Sequence, residues 1–123
     1  MRNLRLAAVL LAALFMAAAL GACGAKPALG AGQAVETTRV ELPPSYRFDP
    51  DVIQVTAGST VTWHNSDNFT HSVQVLKDGF GMLNLPPGAS GSITFSQPGE
   101  YDYVCTYHTQ QMKGKVIVVR PAH

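Results

Sequence analysis

The residues best suited to chemistry stand near the C-terminal end of this 123-residue chain, with one outlier upstream. Cys105, His108 and Met112 share the segment Cys105-Thr106-Tyr107-His108-Thr109-Gln110-Gln111-Met112, and His71 lies 34 residues before Cys105. Each has an ordinary explanation by itself. A core cysteine is usually a small buried hydrophobe, a loop histidine is usually solvated, and a methionine usually packs. Together they are a ligand set. Thiolate and thioether favour a soft cation, imidazole accepts both Cu(I) and Cu(II), and two imidazoles, a thiolate and a long, weak thioether select copper. A site held between the geometries the two oxidation states prefer rearranges little when an electron arrives, which favours fast one-electron transfer.

The other candidates are weaker. His64 alternates with Val61 and Trp63 and is expected to face solvent or the N-terminal segment; His123 ends the chain. Met82 is an alternative thioether to Met112. It more naturally joins Phe80, Leu83 and Leu85 in an apolar surface around the exposed edge of His108, where redox proteins could dock weakly. Trp63 reads as core.

The elements that must position these residues read as strands. Thr37 to Leu42, Val52 to Thr56, Thr60 to His64, His71 to Leu76, Gly91 to Ser96, Glu100 to Cys105 and Lys115 to Val119 alternate or are β-branched. Gly, Pro, Asn and Asp separate them, and Lys77 to Ala89 reads as a long irregular stretch. Short strands at this spacing without helical periods predict an all-β fold, a Greek-key β-sandwich of seven or eight strands. The segment Cys105 to Met112 falls between two of them, where a loop at one end of the sandwich is expected.

The N-terminal part is of another kind. Arg2 and Arg5 precede an uncharged apolar run from Leu6 to Leu20. A basic start followed by such a run predicts a secretory signal over residues 1–22. The run is shorter than the roughly 20 residues that span hydrocarbon, which disfavours a permanent transmembrane helix. Leu20-Gly21-Ala22-Cys23 resembles the lipobox of bacterial lipoproteins, which implies that Cys23 is acylated and becomes the first mature residue. The alternatives are an incidental cysteine or a disulfide between Cys23 and Cys105. Residues 23–35 are expected to be the lipidated cysteine and a flexible Gly/Ala-rich tether with a reach on the order of 20 Å. Acyl chains hold by about 0.8 kcal/mol per buried methylene, so two or three would fix the domain at a membrane.

Residues 36–123 remain as one domain. Without the two arginines of the signal, seven Lys and Arg face eight Asp and Glu, a net charge of −1. That balance, with no charge run, gives no sign of a nucleic-acid partner. A core this small usually needs a disulfide or a metal. If Cys23 is lipidated, a metal is the natural candidate.

Two stretches carry a family resemblance. Tyr101-Asp102-Tyr103-Val104-Cys105 through Met112-Lys113-Gly114-Lys115-Val116 resembles the copper loop and final strand of plastocyanin- and amicyanin-like cupredoxins. Trp63, Asn65, Asp67, His71 and Val73 match the first-ligand segment of that family, W-x-N-x-D-x-x-x-H-x-V. The resemblance covers nearly the whole domain. It implies a cupredoxin-like sandwich with one type 1 (blue) copper ion cycling between Cu(I) and Cu(II), His71, Cys105 and His108 in the trigonal plane and Met112 axial. Ser72 falls where the family supports the thiolate. Asn65 and Asp67 would brace the first-ligand loop, or serve a plain turn. The three residues between His108 and Met112 are one more than the amicyanin pattern and one fewer than the plastocyanin pattern. Tyr107 replaces a common Pro, which predicts a less rigid loop.

The resemblance implies an exported, monomeric electron carrier, held by Cys23 with its domain facing the periplasm or cell exterior. A module for copper storage or delivery is the alternative, although exchangeable Met, Cys or His clusters are missing from the sequence. An oxidase or nitrite reductase would need further histidines, and four occur in all. No Ser/His/Asp set or carboxylate pair points to hydrolysis.

Overall fold

A computed structural model describes residues 33–122. The expected signal, Cys23 and most of the expected tether lie outside the described residues. Nine strands follow in order: β1 (Val35–Glu36), β2 (Arg39–Leu42), β3 (Val52–Thr56), β4 (Ser59–Asn65), β5 (His71–Val75), β6 (Leu83–Leu85), β7 (Ser90–Phe95), β8 (Gly99–Val104) and β9 (Lys113–Val119). They form a six-stranded sheet in the order β1-β3-β9-β8-β5-β6 and a three-stranded sheet in the order β2-β4-β7. The all-β expectation holds, and no helix occurs among the described residues.

The strand count exceeds the expected seven or eight, and the reason is local. The two added strands are β1 and β6, with two and three residues. Elements this short leave no period to read. β1 pairs with β3 in parallel, so sheet structure begins at Val35, one residue before the expected domain start. β6 lies inside the stretch read as irregular and pairs with β5, Leu85 opposite His71.

Period two of the strands explains the core. In β4 Val61, Trp63 and Asn65 are buried, while Thr60 and Thr62 face outward and pair their hydroxyls with Thr94 at 2.7 Å and Ser92 at 2.8 Å on β7. Val61, Trp63 and Phe95 from one sheet meet Ile53, Val73, Tyr103 and Val116 from the other, all with no exposed surface. Burying each large apolar side chain contributes about 1.5–3 kcal/mol. The chain passes between sheets at Ala57-Gly58, whose amides are shared: Ala57 donates to Val119 at 2.8 Å and Gly58 to Phe95 at 2.7 Å. Gly58 has φ +96°, a conformation glycine adopts without a Cβ penalty.

Candidate metal centre

β5 and β8 are antiparallel neighbours, Gln74 opposite Val104 and Val75 opposite Tyr103. The start of β5 and the end of β8 therefore reach the same end of the sandwich. Alternation carries the inward face of β5 from Val75 through Val73 to His71, and that of β8 from Tyr101 through Tyr103 to Cys105. Imidazole and thiol thus converge from residues distant in sequence. The Cys105 Sγ lies 3.8 Å from Nδ1 of His71, and both residues are fully buried.

The segment after Cys105 folds back at once. The His108 amide donates to the Cys105 carbonyl at 3.1 Å, the Met112 amide to the His108 carbonyl at 2.9 Å, and the Cys105 amide to the Met112 carbonyl at 3.1 Å. This tight loop brings Nδ1 of the half-buried His108 to 3.9 Å from Sγ. One donor atom from each of His71, Cys105 and His108 lies within 4.8 Å of the others. An ion about 2.0 Å from nitrogen and about 2.3 Å from sulfur, with ligands about 120° apart, separates those atoms by about 3.7 Å. The observed spacings fit a first-row ion, and a thiolate with two imidazoles fits copper. Met112 is wholly buried at the end of the loop.

The surroundings fix these donors. Nε2 of His71 donates to Oδ2 of Asp67 at 2.8 Å, which leaves the Nδ1 lone pair facing Cys105. That hydrogen bond holds the Asp67 carboxyl below the usual carboxylate range, against the opposing effect of burial. Asn65 organises the loop between β4 and β5. Its Nδ2 donates to the carbonyls of Phe69 and Leu85, each at 2.8 Å, and its Oδ1 accepts the Asp67 amide at 2.8 Å. The Ser72 amide donates to Sγ of Cys105 at 3.4 Å, and its hydroxyl stands 3.8 Å from the same sulfur. The same hydroxyl accepts the Thr106 amide at 2.8 Å and lies 2.7 Å from the Thr106 hydroxyl.

The structure brings His71, Cys105, His108, Ser72, Asn65 and Met112 to one end of the fold. His64 turns away, with Nδ1 2.8 Å from Oε2 of Glu41 on β2. Cys23 lies outside the described residues. The apolar surface expected from Phe80, Met82, Leu83 and Leu85 is corrected. Leu85 is core at 2% exposure, Leu83 turns to the same side of β6 and packs on the core, and Phe80 packs on Phe95 and Tyr101. Only Met82 of the four is exposed, its sulfur 4.0 Å from the Thr106 hydroxyl. The exposed aromatic rings at this end are Tyr46, Phe69 and Tyr107. Tyr107 braces the loop that its substitution for proline was expected to loosen: its hydroxyl donates to Oδ1 of Asn84 at 2.8 Å. Thr106 and Tyr46 were not singled out from the sequence, because neither belongs to a periodic or ligand-type pattern.

Comparison with known proteins agrees with this geometry. Residues 7–118 match the family described as a cupredoxin-like domain. Amicyanin-alpha of Methylorubrum extorquens is 40% identical over 119 residues, 86% of this chain and 98% of the relative. Amicyanin of Paracoccus versutus is 34% identical over 76% of this chain and 73% of its own length. Among solved structures, an amicyanin variant in the reduced state superposes with a TM-score of 0.59 at 32% identity, covering 65% of this chain and 79% of that one. A copper-containing nitrite reductase from Thermus scotoductus gives a TM-score of 0.57 at 32% identity over 78% of this chain, but over only 25% of the reductase. With the His-Cys-His donor set at the end of a two-sheet β-sandwich and a family match spanning most of its length, the chain belongs to the cupredoxin-like family.

Proposed function

We propose that this protein carries single electrons through a mononuclear type 1 copper site, with His71, Cys105 and His108 as strong ligands and Met112 as the weak axial one. The observation that carries the reading is the convergence of Sγ of Cys105 with Nδ1 of His71 and of His108, at 3.8 and 3.9 Å. Copper bound there supplies a one-electron couple. The protein's part is to hold the donors still. Asp67 orients His71, Ser72 donates to the thiolate, and Asn65 ties the first-ligand loop to β6, so either charge state meets the same cage. His108 is the ligand that reaches the surface, and its edge is the path by which electrons enter and leave. Redox partners dock weakly around it, against Tyr46, Phe69, Met82 and Tyr107.

Copper storage or delivery is the competing reading. A thiol and an imidazole with no exposed surface favour retention over hand-over. The nitrite reductase likeness covers a quarter of that protein and supports a shared fold. The basic, apolar N-terminus supports export, and Leu20-Gly21-Ala22-Cys23 supports a lipid anchor on Cys23 that keeps the carrier beside membrane partners.

The test is an optical and EPR spectrum of the copper-loaded domain. An intense thiolate-to-copper charge-transfer band with a narrow copper hyperfine splitting, both lost in Cys105→Ser, is the expected result. A colourless copper-loaded protein, or rapid loss of copper to a mild chelator, would sink the carrier reading.

A further inference from the structure

The two candidate imidazole ligands are held by different means. His71 donates Nε2 to a buried carboxylate at 2.8 Å. Among the described residues, the His108 ring has no comparable hydrogen bond; its Nδ1 faces Sγ of Cys105 at 3.9 Å. An imidazole anchored only through a metal bond can swing outward about its side-chain torsions unless packing stops it.

Tyr46 supplies that packing. Its ring centroid lies 4.5 Å from that of His108 at a tilt of 55°, and 6.2 Å from that of His71 in an edge-on contact at 87°. Phe69, from the loop before β5, stacks on Tyr46 with ring centroids 6.3 Å apart at 23°. Tyr46 is 39% exposed and Phe69 59%, so the pair forms an outer aromatic layer across the two ligand-bearing loops. The Tyr46 backbone is in the left-handed region at φ +54°, after Ser45 at φ +106°. Bulky residues rarely adopt that conformation, and it persists where surrounding contacts over-determine it. Here those contacts are the rings of His108, His71 and Phe69.

We propose that Tyr46 is a positioning residue that holds the His108 imidazole with Nδ1 turned toward Cys105, doing by ring packing what Asp67 does for His71 by hydrogen bonding. The inference rests on reading His108 as a copper ligand. The phenol hydroxyl plays no part; the ring does.

The test uses the folded protein in two states. In the metal-free protein, NMR of the His108 ring protons reports its packing. In Tyr46→Ala those signals lose the ring-current shift from Tyr46 and broaden, whereas in Tyr46→Phe they stay near wild type. In the copper-loaded protein, Cu(II) release to excess chelator becomes about three- to tenfold faster in Tyr46→Ala, as expected for losing one aromatic pair, and stays within twofold of wild type in Tyr46→Phe. Release from Tyr46→Ala at the wild-type rate overturns the inference, as does Tyr46→Phe releasing as fast as Tyr46→Ala. If Tyr46→Ala does not fold by circular dichroism, Phe69→Ala decides: removing the ring stacked on Tyr46 accelerates release to a smaller extent, and an unchanged rate overturns the inference. A wild-type protein that develops no thiolate band with Cu(II) instead defeats the copper reading, and the metal-free comparison still judges the packing of Tyr46 on His108.

Discussion

The carboxylate of Asp67 accepts a hydrogen bond from Nε2 of His71 at 2.8 Å, and both side chains are buried. The contact sets the tautomer of His71 and places a negative charge one imidazole away from the donor cluster. Asp67→Asn keeps the size and an acceptor oxygen but removes the charge. Weakening such a ligand-orienting contact typically costs 10–100-fold in metal affinity, and losing the negative charge disfavours Cu(II) more than Cu(I). The expected outcome is a copper affinity lower by about that factor, with a raised reduction potential. Competition titration and voltammetry measure the two; an unchanged affinity and potential would show that Asp67 only shapes the loop.

Ser72 acts on the sulfur instead. Its amide and hydroxyl both point at Sγ of Cys105, at 3.4 and 3.8 Å. Donors to a thiolate withdraw electron density and favour the more electron-rich reduced site. Ser72→Ala keeps the amide and loses the hydroxyl. The potential is expected to fall by on the order of tens of millivolts, the equivalent of about 1 kcal/mol of hydrogen bonding. The Thr106 amide also loses its acceptor, so a modest loss of stability accompanies the shift. A potential that stays put or rises refutes the role assigned to the hydroxyl.

The candidate donors could be picked out because their atom types are rare and their chemistry is narrow: a thiol, two imidazoles and a thioether admit few joint explanations. The long strands were legible through alternation, as in Val61 and Trp63 against Thr60 and Thr62. What escaped depends on contacts between segments far apart in sequence. Leu83 and Leu85 look like surface apolar residues in a Gly/Pro-rich stretch, and only the pairing of Leu85 with His71 turns them inward. Asp67 could be read as a turn residue until its carboxylate was seen to reach Nε2. Tyr46 follows Pro43 and Pro44 in a turn whose positive φ angles no period announces. Tyr107 looked like a lost proline, and its hydroxyl bond to Asn84 emerges only when β6 lies alongside.

Tyr103 gives the stability a pH limit. Its ring is enclosed by Trp63 at 5.3 Å and Phe48 at 4.7 Å, and burial pushes its phenol well above the ordinary tyrosine range. In the unfolded chain the same phenol ionises near pH 10. Above that pH the unfolded state binds fewer protons than the folded state, so stability falls as pH rises. The contribution is fully present below about pH 10 and is lost progressively above it. Melting temperatures of the metal-free protein across that range are expected to decline more steeply for wild type than for Tyr103→Phe. Since the Tyr103 hydroxyl lacks a hydrogen-bond partner among the described residues, Tyr103→Phe should keep its stability at neutral pH. Parallel alkaline declines in the two proteins would count against this assignment.

Gly114 makes room for that ring. It stands opposite Tyr103 in the β8–β9 pairing, and a Cβ there would come within 2.3 Å of Cζ and 2.4 Å of the phenol oxygen. Tyr103 cannot retreat easily, because Trp63 and Phe48 wall it in. Gly114→Ala is therefore expected to destabilise the metal-free protein by about 1–3 kcal/mol, the usual range for overpacking a core, measured by denaturant unfolding. Pairing it with Tyr103→Leu, which shortens the opposing side chain, should recover part of that loss, giving a less-than-additive double-mutant cycle. The damage should also reach the metal centre: Lys113 and Gly114 open β9 directly after Met112, and Met112 closes the loop through its carbonyl to the Cys105 amide. A displaced β9 start therefore moves Met112, the proposed axial donor, and the copper-loaded variant should show an altered charge-transfer spectrum. Full additivity in the cycle together with an unchanged spectrum would mean that Gly114 is tolerated for reasons unrelated to Tyr103.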